Sequence, residues 1–324
     1  MPLPARRVLV LHDQPEAVRA VLASRWPAAE VAFATGPAEV VPALADHQPE
    51  AVLSIKHSGF PGPAHRPALG APSVAWFHVG GSGIEHLGAW DADRVSVTHS
   101  AGVLAPFLAE MALGAMLSLN LGLPRFARQQ AHRAWQPRTF RALAGQTLLV
   151  VGVGHVGGAV ASRAAALGMR VLGVRRSGRP HPAVHAMHRP DALPALLPQA
   201  DVLSLNVRLT DETRGLIDAA ALAALPRGAL LLNAARGAVL DEDAALQALV
   251  AGHLGGAWLD VFQTEPLPPA HPLWRAPNLL ITPHCADQVR DWPARFAHRF
   301  CDLAEEVAAG RPLPVVAPPA GAAP

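Results

Sequence analysis

Tyrosine is absent from this 324-residue chain, and lysine occurs once, at Lys56. A reductase that relays its proton through a Tyr and Lys pair is therefore excluded, and Schiff-base chemistry would rest on Lys56 alone. Catalytic acids and bases must come from His, Asp, Glu or Cys. Cysteine occurs only at Cys285 and Cys301, a spacing that suits neither a metal cluster nor a redox pair. Charge is sparse as well: 27 basic and 25 acidic residues are spread without a block of like sign, which speaks against a nucleic-acid arm. Nothing at the N-terminus reads as a signal peptide, so a reducing cytoplasm is the expected compartment.

What is present is apolar sequence, 51% of the residues, enough for the cores of two ordinary domains. Short apolar runs at 8–11, 31–33, 51–55, 73–77 and 95–98 alternate with helix-like or loop segments, the pattern of a parallel α/β sheet. A long apolar stretch at 101–123 invites a membrane reading. Glu110 near its centre and the interruptions at Pro106 and Asn120 favour a buried helix instead, because a central acidic residue costs about 3 kcal/mol in lipid. Strands are then expected at 147–151, 170–174, 202–206, 229–233, 256–259 and 279–282, six in all, as in a doubly wound nucleotide-binding sheet. From residue 311 to the end the chain is rich in Pro and Ala and is expected to be a loose tail.

The run Gly152-Val-Gly154-His155-Val156-Gly157 follows a predicted strand and opens a helical segment. Gly152 suits a tight turn, Gly154 a close approach of backbone to pyrophosphate, and Gly157 close helix packing, with the first helical residues His155 and Val156 facing the phosphates. The next strand ends in Arg175, Arg176 and Ser177, where an NAD enzyme would carry a carboxylate. Two guanidiniums and a hydroxyl suit a 2′-phosphate, so NADP(H) is the preferred cofactor and NAD(H) a possible one. Three polar islands come next: Asn233-Ala234-Ala-Arg236-Gly-Ala-Val-Leu-Asp241-Glu242, then Leu259-Asp260-Val-Phe-Gln-Thr-Glu265-Pro266, then Ile281-Thr-Pro-His284-Cys285-Ala286. Each follows a strand, so Arg, Glu and His reach one edge of one sheet, where they suit carboxylate binding, histidine orientation and proton transfer. His181, His185 and His188 have a helical metal-ligand spacing, but Pro180, Pro182 and Pro190 favour a loop, and no metal is expected.

The chain resembles the D-2-hydroxyacid dehydrogenase family, in its glyoxylate/hydroxypyruvate reductase branch, over nearly its whole length. The resemblance is carried by Gly81-Ser-Gly-Ile-Glu-His-Leu87, Val97-Thr-His-Ser-Ala-Gly-Val103, the glycine turn, Ala200-Asp-Val-Leu-Ser-Leu205, Leu209-Thr-Asp-Glu-Thr-Arg-Gly-Leu216 and the three islands. It implies two Rossmann-like doubly wound α/β domains, a dinucleotide-binding one at 99–285 inserted into a flavodoxin-like substrate domain at 1–98 and 286–324. It also implies that Arg236 holds the substrate, His284 donates the proton and Glu265 orients and charges His284. Val79, Gly80, Gly81, Ser82 and Gly83 would offer backbone N–H groups to the substrate carboxylate, with Lys56 reaching the same site. Asp260 would contact the nicotinamide, and Val207 and Ala234 would line the cofactor. The implied substrate is a small 2-keto or 2-hydroxy acid, and the implied assembly a homodimer, with no nucleic acid and no membrane.

Two departures bear on the substrate: Val207-Arg208-Leu209-Thr210 stands where relatives have Leu-Pro-Leu-Thr, and Cys285 replaces an aliphatic residue beside His284. A formate dehydrogenase of this fold would carry an amide in place of Glu265. The alternatives are a nucleotide-sensing corepressor of the same fold, which would not turn over keto acids, and a dehydrogenase for a bulkier 2-hydroxy acid.

Overall fold

The computed structural model describes residues 6–57 and 59–318. The chain divides into two compact units, one formed by the residues up to Leu104 and from Gln288 onward, the other by 105–287. Both boundaries fall later in the chain than 98/99 and 285/286. Ser100 keeps its segment with the first unit by donating its N–H to the Val79 and Gly81 carbonyls, while Ala286 stays with the second by donating to the Asp260 carboxylate.

Among the described residues of the first unit, five parallel strands run in the order β2-β1-β3-β4-β5: β1 Arg7–Leu11, β2 Glu30–Ala34, β3 Ala51–Ile55, β4 Trp76–Gly80 and β5 Ser96–His99. This is the flavodoxin-like order. Every residue of β3 is buried, as expected of a central parallel strand covered on both faces. Helices α1 (Glu16–Arg25), α2 (Val40–His47) and α3 (Arg66–Gly70) accompany the sheet, joined by a C-terminal helix, α10 (Trp292–Ala308). Phe296, Phe300 and Leu303 lie on the buried stripe of α10, spaced at the helical period. Arg25 of α1 ties to this helix through Asp302 at 2.7 Å and Glu305 at 2.5 Å.

The fourth strand is displaced from 73–77 to Trp76–Gly80, because the chain still turns around Pro72, with Val74 N–H donating to the Ala71 carbonyl, and pairing begins at Trp76 opposite Ala51. Val79 and Gly80 are thus the last two residues of the strand. The tail is not loose over its described part: Val316 donates its N–H to Val97 on the β5 edge (2.8 Å) and packs against the core, satisfying a carbonyl that an edge strand leaves open. Residues 319–324 of that tail lie outside the described residues.

The second unit holds a seven-stranded parallel sheet in the order β12-β11-β10-β9-β6-β7-β8. Its strands are β6 Thr147–Val151, β7 Arg170–Val174, β8 Ala186–His188, β9 Val202–Leu205, β10 Ala229–Asn233, β11 Leu254–Leu259 and β12 Leu279–Ile281. The sequence anticipates six of these. The seventh, β8, lies in the stretch read as a His- and Pro-rich loop. It forms because His185 bonds Val171 twice, its N–H donating to the Val171 carbonyl and its Nδ1 accepting the Val171 N–H, which sets the next three residues beside β7.

Helices α4 (Ala105–Leu121), α5 (Leu123–Ala131), α6 (His155–Ala166), α7 (Leu193–Leu196), α8 (Ala219–Ala223) and α9 (Glu242–Val250) complete this unit. The apolar stretch is helical from Ala105 rather than 101, with Pro106 in the first turn where its missing N–H is harmless, and it breaks at Gly122 into α5. Glu110 points outward and reaches Arg163 of α6 at 3.7 Å, while Ala109, Ala112, Met116 and Leu119 are buried. Among the described residues no single helix is long and apolar enough to cross a membrane, although α4 and α5 together, bent by 62°, have the length and composition.

Candidate active site

The order of the seven-stranded sheet reverses between β6 and β9, which opens a crevice at their carboxyl ends. The glycine turn lies there. Gly152 has φ +95°, and a Cβ on it would sit 2.6 Å from the Asn206 carbonyl oxygen that follows β9. A Cβ on Gly157 would sit 2.1 Å from the Gly152 carbonyl, so α6 approaches its strand only because that side chain is missing. Gly154, just before His155 and Val156 in the first turn of α6, has nothing within 4 Å of a built Cβ. The turn is therefore closed beneath and open above, a cradle at a helix N-terminus that fits a pyrophosphate.

β7 stops at Val174, and residues 175–178 form a turn closed by Gly178 N–H on the Arg175 carbonyl. Arg175 folds toward the glycine loop, donating to the carbonyls of Val153 (3.2 Å) and Pro180 (3.3 Å), whereas Arg176 and Ser177 are exposed. The two arginines thus leave the backbone differently. Val207 and Ala234, half-buried, lie just beyond β9 and β10.

The three polar islands follow β10, β11 and β12. After β10, buried Asn233 accepts the Ala235 N–H and donates to the Arg236 carbonyl, a side-chain turn that presents Arg236 at the sheet edge. Asp241 caps α9 by accepting the Ala244 N–H. After β11, Asp260 is 2% exposed and its carboxylate accepts the Thr282 hydroxyl (2.5 Å) and the N–H groups of Cys285 (3.1 Å) and Ala286 (3.2 Å). After β12, His284 takes a left-handed conformation, φ +49°, held by its own N–H on the Asp260 carbonyl at 2.8 Å. A histidine in this region is uncommon and needs such over-determination.

His284 Nδ1 donates to Glu265 Oε2 at 2.7 Å, and Glu265 Oε1 accepts the Phe262 N–H at 3.0 Å. Hydrogen bonding to Glu265 raises the His284 pKa above the ordinary histidine value, and burial and Arg236 oppose the rise. The pair leaves Nε2 as the imidazolium's outward acid. Arg, Glu and His from three strand ends can together hold a carboxylate, fix a histidine tautomer and move one proton.

Residues 113–286 match the family described as D-isomer specific 2-hydroxyacid dehydrogenase, NAD binding domain. The chain belongs to this family. A glyoxylate reductase of Thermofilum pendens is 33% identical over 237 residues, 70% of this chain and 70% of that protein. The crystal structure of a 2-hydroxyacid dehydrogenase family protein from Aeromonas salmonicida superposes with TM-score 0.84 at 32% identity, covering 96% of this chain and 98% of that one. An NADPH-dependent glyoxylate/hydroxypyruvate reductase from Sinorhizobium meliloti, solved with NADP and sulfate, gives TM-score 0.81 at 29% identity, covering 96% and 98%.

In this dehydrogenase, Lys56, Val79, Gly80, Gly81, Ser82 and Gly83 belong to the first unit, at the carboxyl ends of β3 and β4. Sequence reasoning missed two carboxyl groups of the second. Asp287, three residues beyond His284, is raised above the ordinary carboxylate range by burial, with His284 and Arg236 acting against the shift. Glu242 is buried in the first turn of α9 and accepts the Gln263 N–H at 2.6 Å, bracing the loop that carries Glu265. Cys285 is a poor nucleophile, because burial and the nearby Asp260 push its thiol up. The histidines at 181, 185 and 188 find separate surroundings: His181 accepts the Ala183 N–H, His185 serves β7, and His188 ends β8.

Replacing Glu265 with Gln keeps the shape and removes the charge that favours imidazolium. The pH above which keto-acid reduction declines is expected to fall in Glu265→Gln, because His284 then loses its proton at lower pH. A pH–rate profile identical to the native one would show that the pair does not act as a unit.

Proposed function

We propose that the chain reduces a small 2-keto acid of the glyoxylate or hydroxypyruvate type to its 2-hydroxy acid, with His284 as proton donor. The reading is carried by the 2.7 Å contact between His284 Nδ1 and Glu265, which commits Nδ1 to the carboxylate and turns Nε2–H toward a reacting oxygen. A bound nicotinamide supplies a hydride for C2. His284 Nε2 gives its proton to the oxygen that was the carbonyl, and the ring is left neutral with its remaining proton on Nδ1. Arg236 binds the carboxylate and the carbonyl oxygen, orienting C2 and stabilising negative charge as it develops. In the first unit, Lys56 and the segment 79–83, through N–H groups beyond the end of β4, are the proposed carboxylate-binding groups. The names borne by the Thermofilum and Sinorhizobium relatives support this substrate class.

NADPH is the proposed cofactor. Arg176 and Ser177 stand exposed on the turn after β7, and no carboxylate occurs from residue 143 to 190 to repel a 2′-phosphate. The test is turnover of glyoxylate, hydroxypyruvate, pyruvate and phenylpyruvate with each cofactor. Reduction of the first two is expected, with kcat/KM for NADPH about tenfold or more above NADH, the effect of one or two charge-assisted hydrogen bonds. Arg236→Lys keeps the charge and loses the bidentate fork. It is expected to lower kcat/KM for the keto acid about a hundredfold without changing cofactor KM. No turnover with either cofactor would overturn the function, and a preference for NADH would overturn the cofactor assignment.

The chain is also proposed to pair with a second copy. Leu123 (49% exposed), Trp135 (97%) and Phe140 (56%) are apolar side chains left in solvent at the start of α5 and in the segment after it. Sedimentation is expected to show a dimer at micromolar concentration and a shift toward monomer in Trp135→Ser, whereas a native monomer would contradict the pairing.

A further inference from the structure

The first unit contains a buried polar chain that the proposed chemistry leaves unused. Trp76 and His78 lie on one face of β4, with Thr98 and Ser100 beside them on and just after β5, and none of the four is more than 2% exposed. Trp76 Nε1–H donates to Thr98 Oγ1 (2.8 Å), Thr98 Oγ1 lies 2.7 Å from His78 Nδ1, and His78 Nε2 lies 2.8 Å from Ser100 Oγ. Among the described residues the Thr98 hydroxyl bonds only Trp76 and His78. In either neutral tautomer one of the two hydroxyls donates to the ring and the other accepts from it, so both ring nitrogens are bonded. Burial pushes the His78 pKa down to about 3, which keeps the ring neutral, one nitrogen a donor and the other an acceptor, through physiological pH. Phe300 of α10 covers the ring at 5.6 Å and stacks on Trp76 at 4.4 Å, so the imidazole cannot swing away.

The chain ends on a residue that also grips the substrate segment. Ser100 N–H is shared between the carbonyls of Val79 and Gly81, both at 2.9 Å. Gly81 is where the backbone leaves β4, with φ +119° and open space where a Cβ would lie. A buried imidazole with both nitrogens bonded is a rigid spacer between β5 and this exit, which an apolar side chain of the same size would not be.

We propose that His78, acting through Ser100, is a positioning residue that sets the backbone of residues 81–83 for the carboxylate of the keto acid. This rests on the reading of 79–83 as the carboxylate-binding segment.

Ser100→Ala removes the hydroxyl that bonds His78 Nε2 and leaves the backbone bonds in place, and Ser100→Thr restores the hydroxyl. His78→Leu removes both ring bonds, and His78→Gln restores an amide that can bond the Ser100 hydroxyl. Ser100→Ala and His78→Leu are expected to raise keto-acid KM about tenfold, the effect of one lost hydrogen bond. Their kcat is expected to stay within about twofold of native and their NADPH affinity unchanged, with KM recovering in the Thr and Gln variants. Should His78→Leu fail to fold, the Ser100 pair decides. An unchanged KM in Ser100→Ala, or a joint loss of kcat and NADPH affinity, would overturn the proposal. Amide hydrogen exchange of residues 81–83, read without substrate, is expected to be about tenfold faster in Ser100→Ala. Unchanged exchange overturns the positioning role even if the native chain turns over no keto acid, so the two readings fail separately.

Discussion

The buried carboxylate of Asp260 is the constraint on which the arrangement of the second unit's site depends. A carboxyl group 2% exposed is costly to bury unless its oxygens are hydrogen-bonded, and here its partners are the Thr282 hydroxyl and two consecutive N–H groups of the loop after β12. Trp258 on β11 also donates to the Thr282 hydroxyl, so the end of one strand dictates the course of the chain leaving the next. Within that loop His284 adopts φ +49°, a conformation that costs of order 1 kcal/mol or more for a residue with a Cβ. The Asp260 bonds offset this cost. Their result is an imidazole whose Nδ1 meets Glu265, nineteen residues away in sequence.

The glycine turn solves a complementary problem at the same sheet edge. Closing the β6-to-α6 turn against the segment after β9 leaves no room for side chains at Gly152 and Gly157, whereas the face above Gly154 stays empty. The glycine turn after β6 and His284 after β12 thus belong to one parallel sheet, at the same carboxyl-end edge, with β9, β10 and β11 between their strands. The first unit meets the same need with a different device, a neutral histidine held between two hydroxyls beneath the exit of β4.

Much of this was legible in the residues, and the parts that were not share a cause. β6, β7 and β10 are short segments dominated by Val and Leu and bounded by turn residues, so the apolar pattern locates them. β8 has three residues among prolines and exists only through the bonds of His185 to Val171, a contact no local pattern announces. The fourth strand slipped by three residues because the apolar run continues through the turn at Pro72, so periodicity could not locate its start. The break at Gly122 and the docking of Val316 on β5 likewise depend on partners distant in sequence. The places of Arg236, Glu265 and His284 after β10, β11 and β12 follow from the strand pattern, and their roles are those the family resemblance implies. The clamp by Asp260 and the proximity of Asp287 were not legible, because both arise from the backbone course between two strands.

In the proposed reaction hydride reaches C2 of a keto acid while His284 supplies the proton. Single-turnover reduction of glyoxylate with NADPH carrying deuterium at the transferable C4 position, followed across pH, tests both halves at once. The predicted result is deuterium retained on C2 of the product, with a rate that declines through one ionisation above the ordinary histidine value. Deuterium lost to solvent, or a rate that rises as His284 loses its proton, would contradict it.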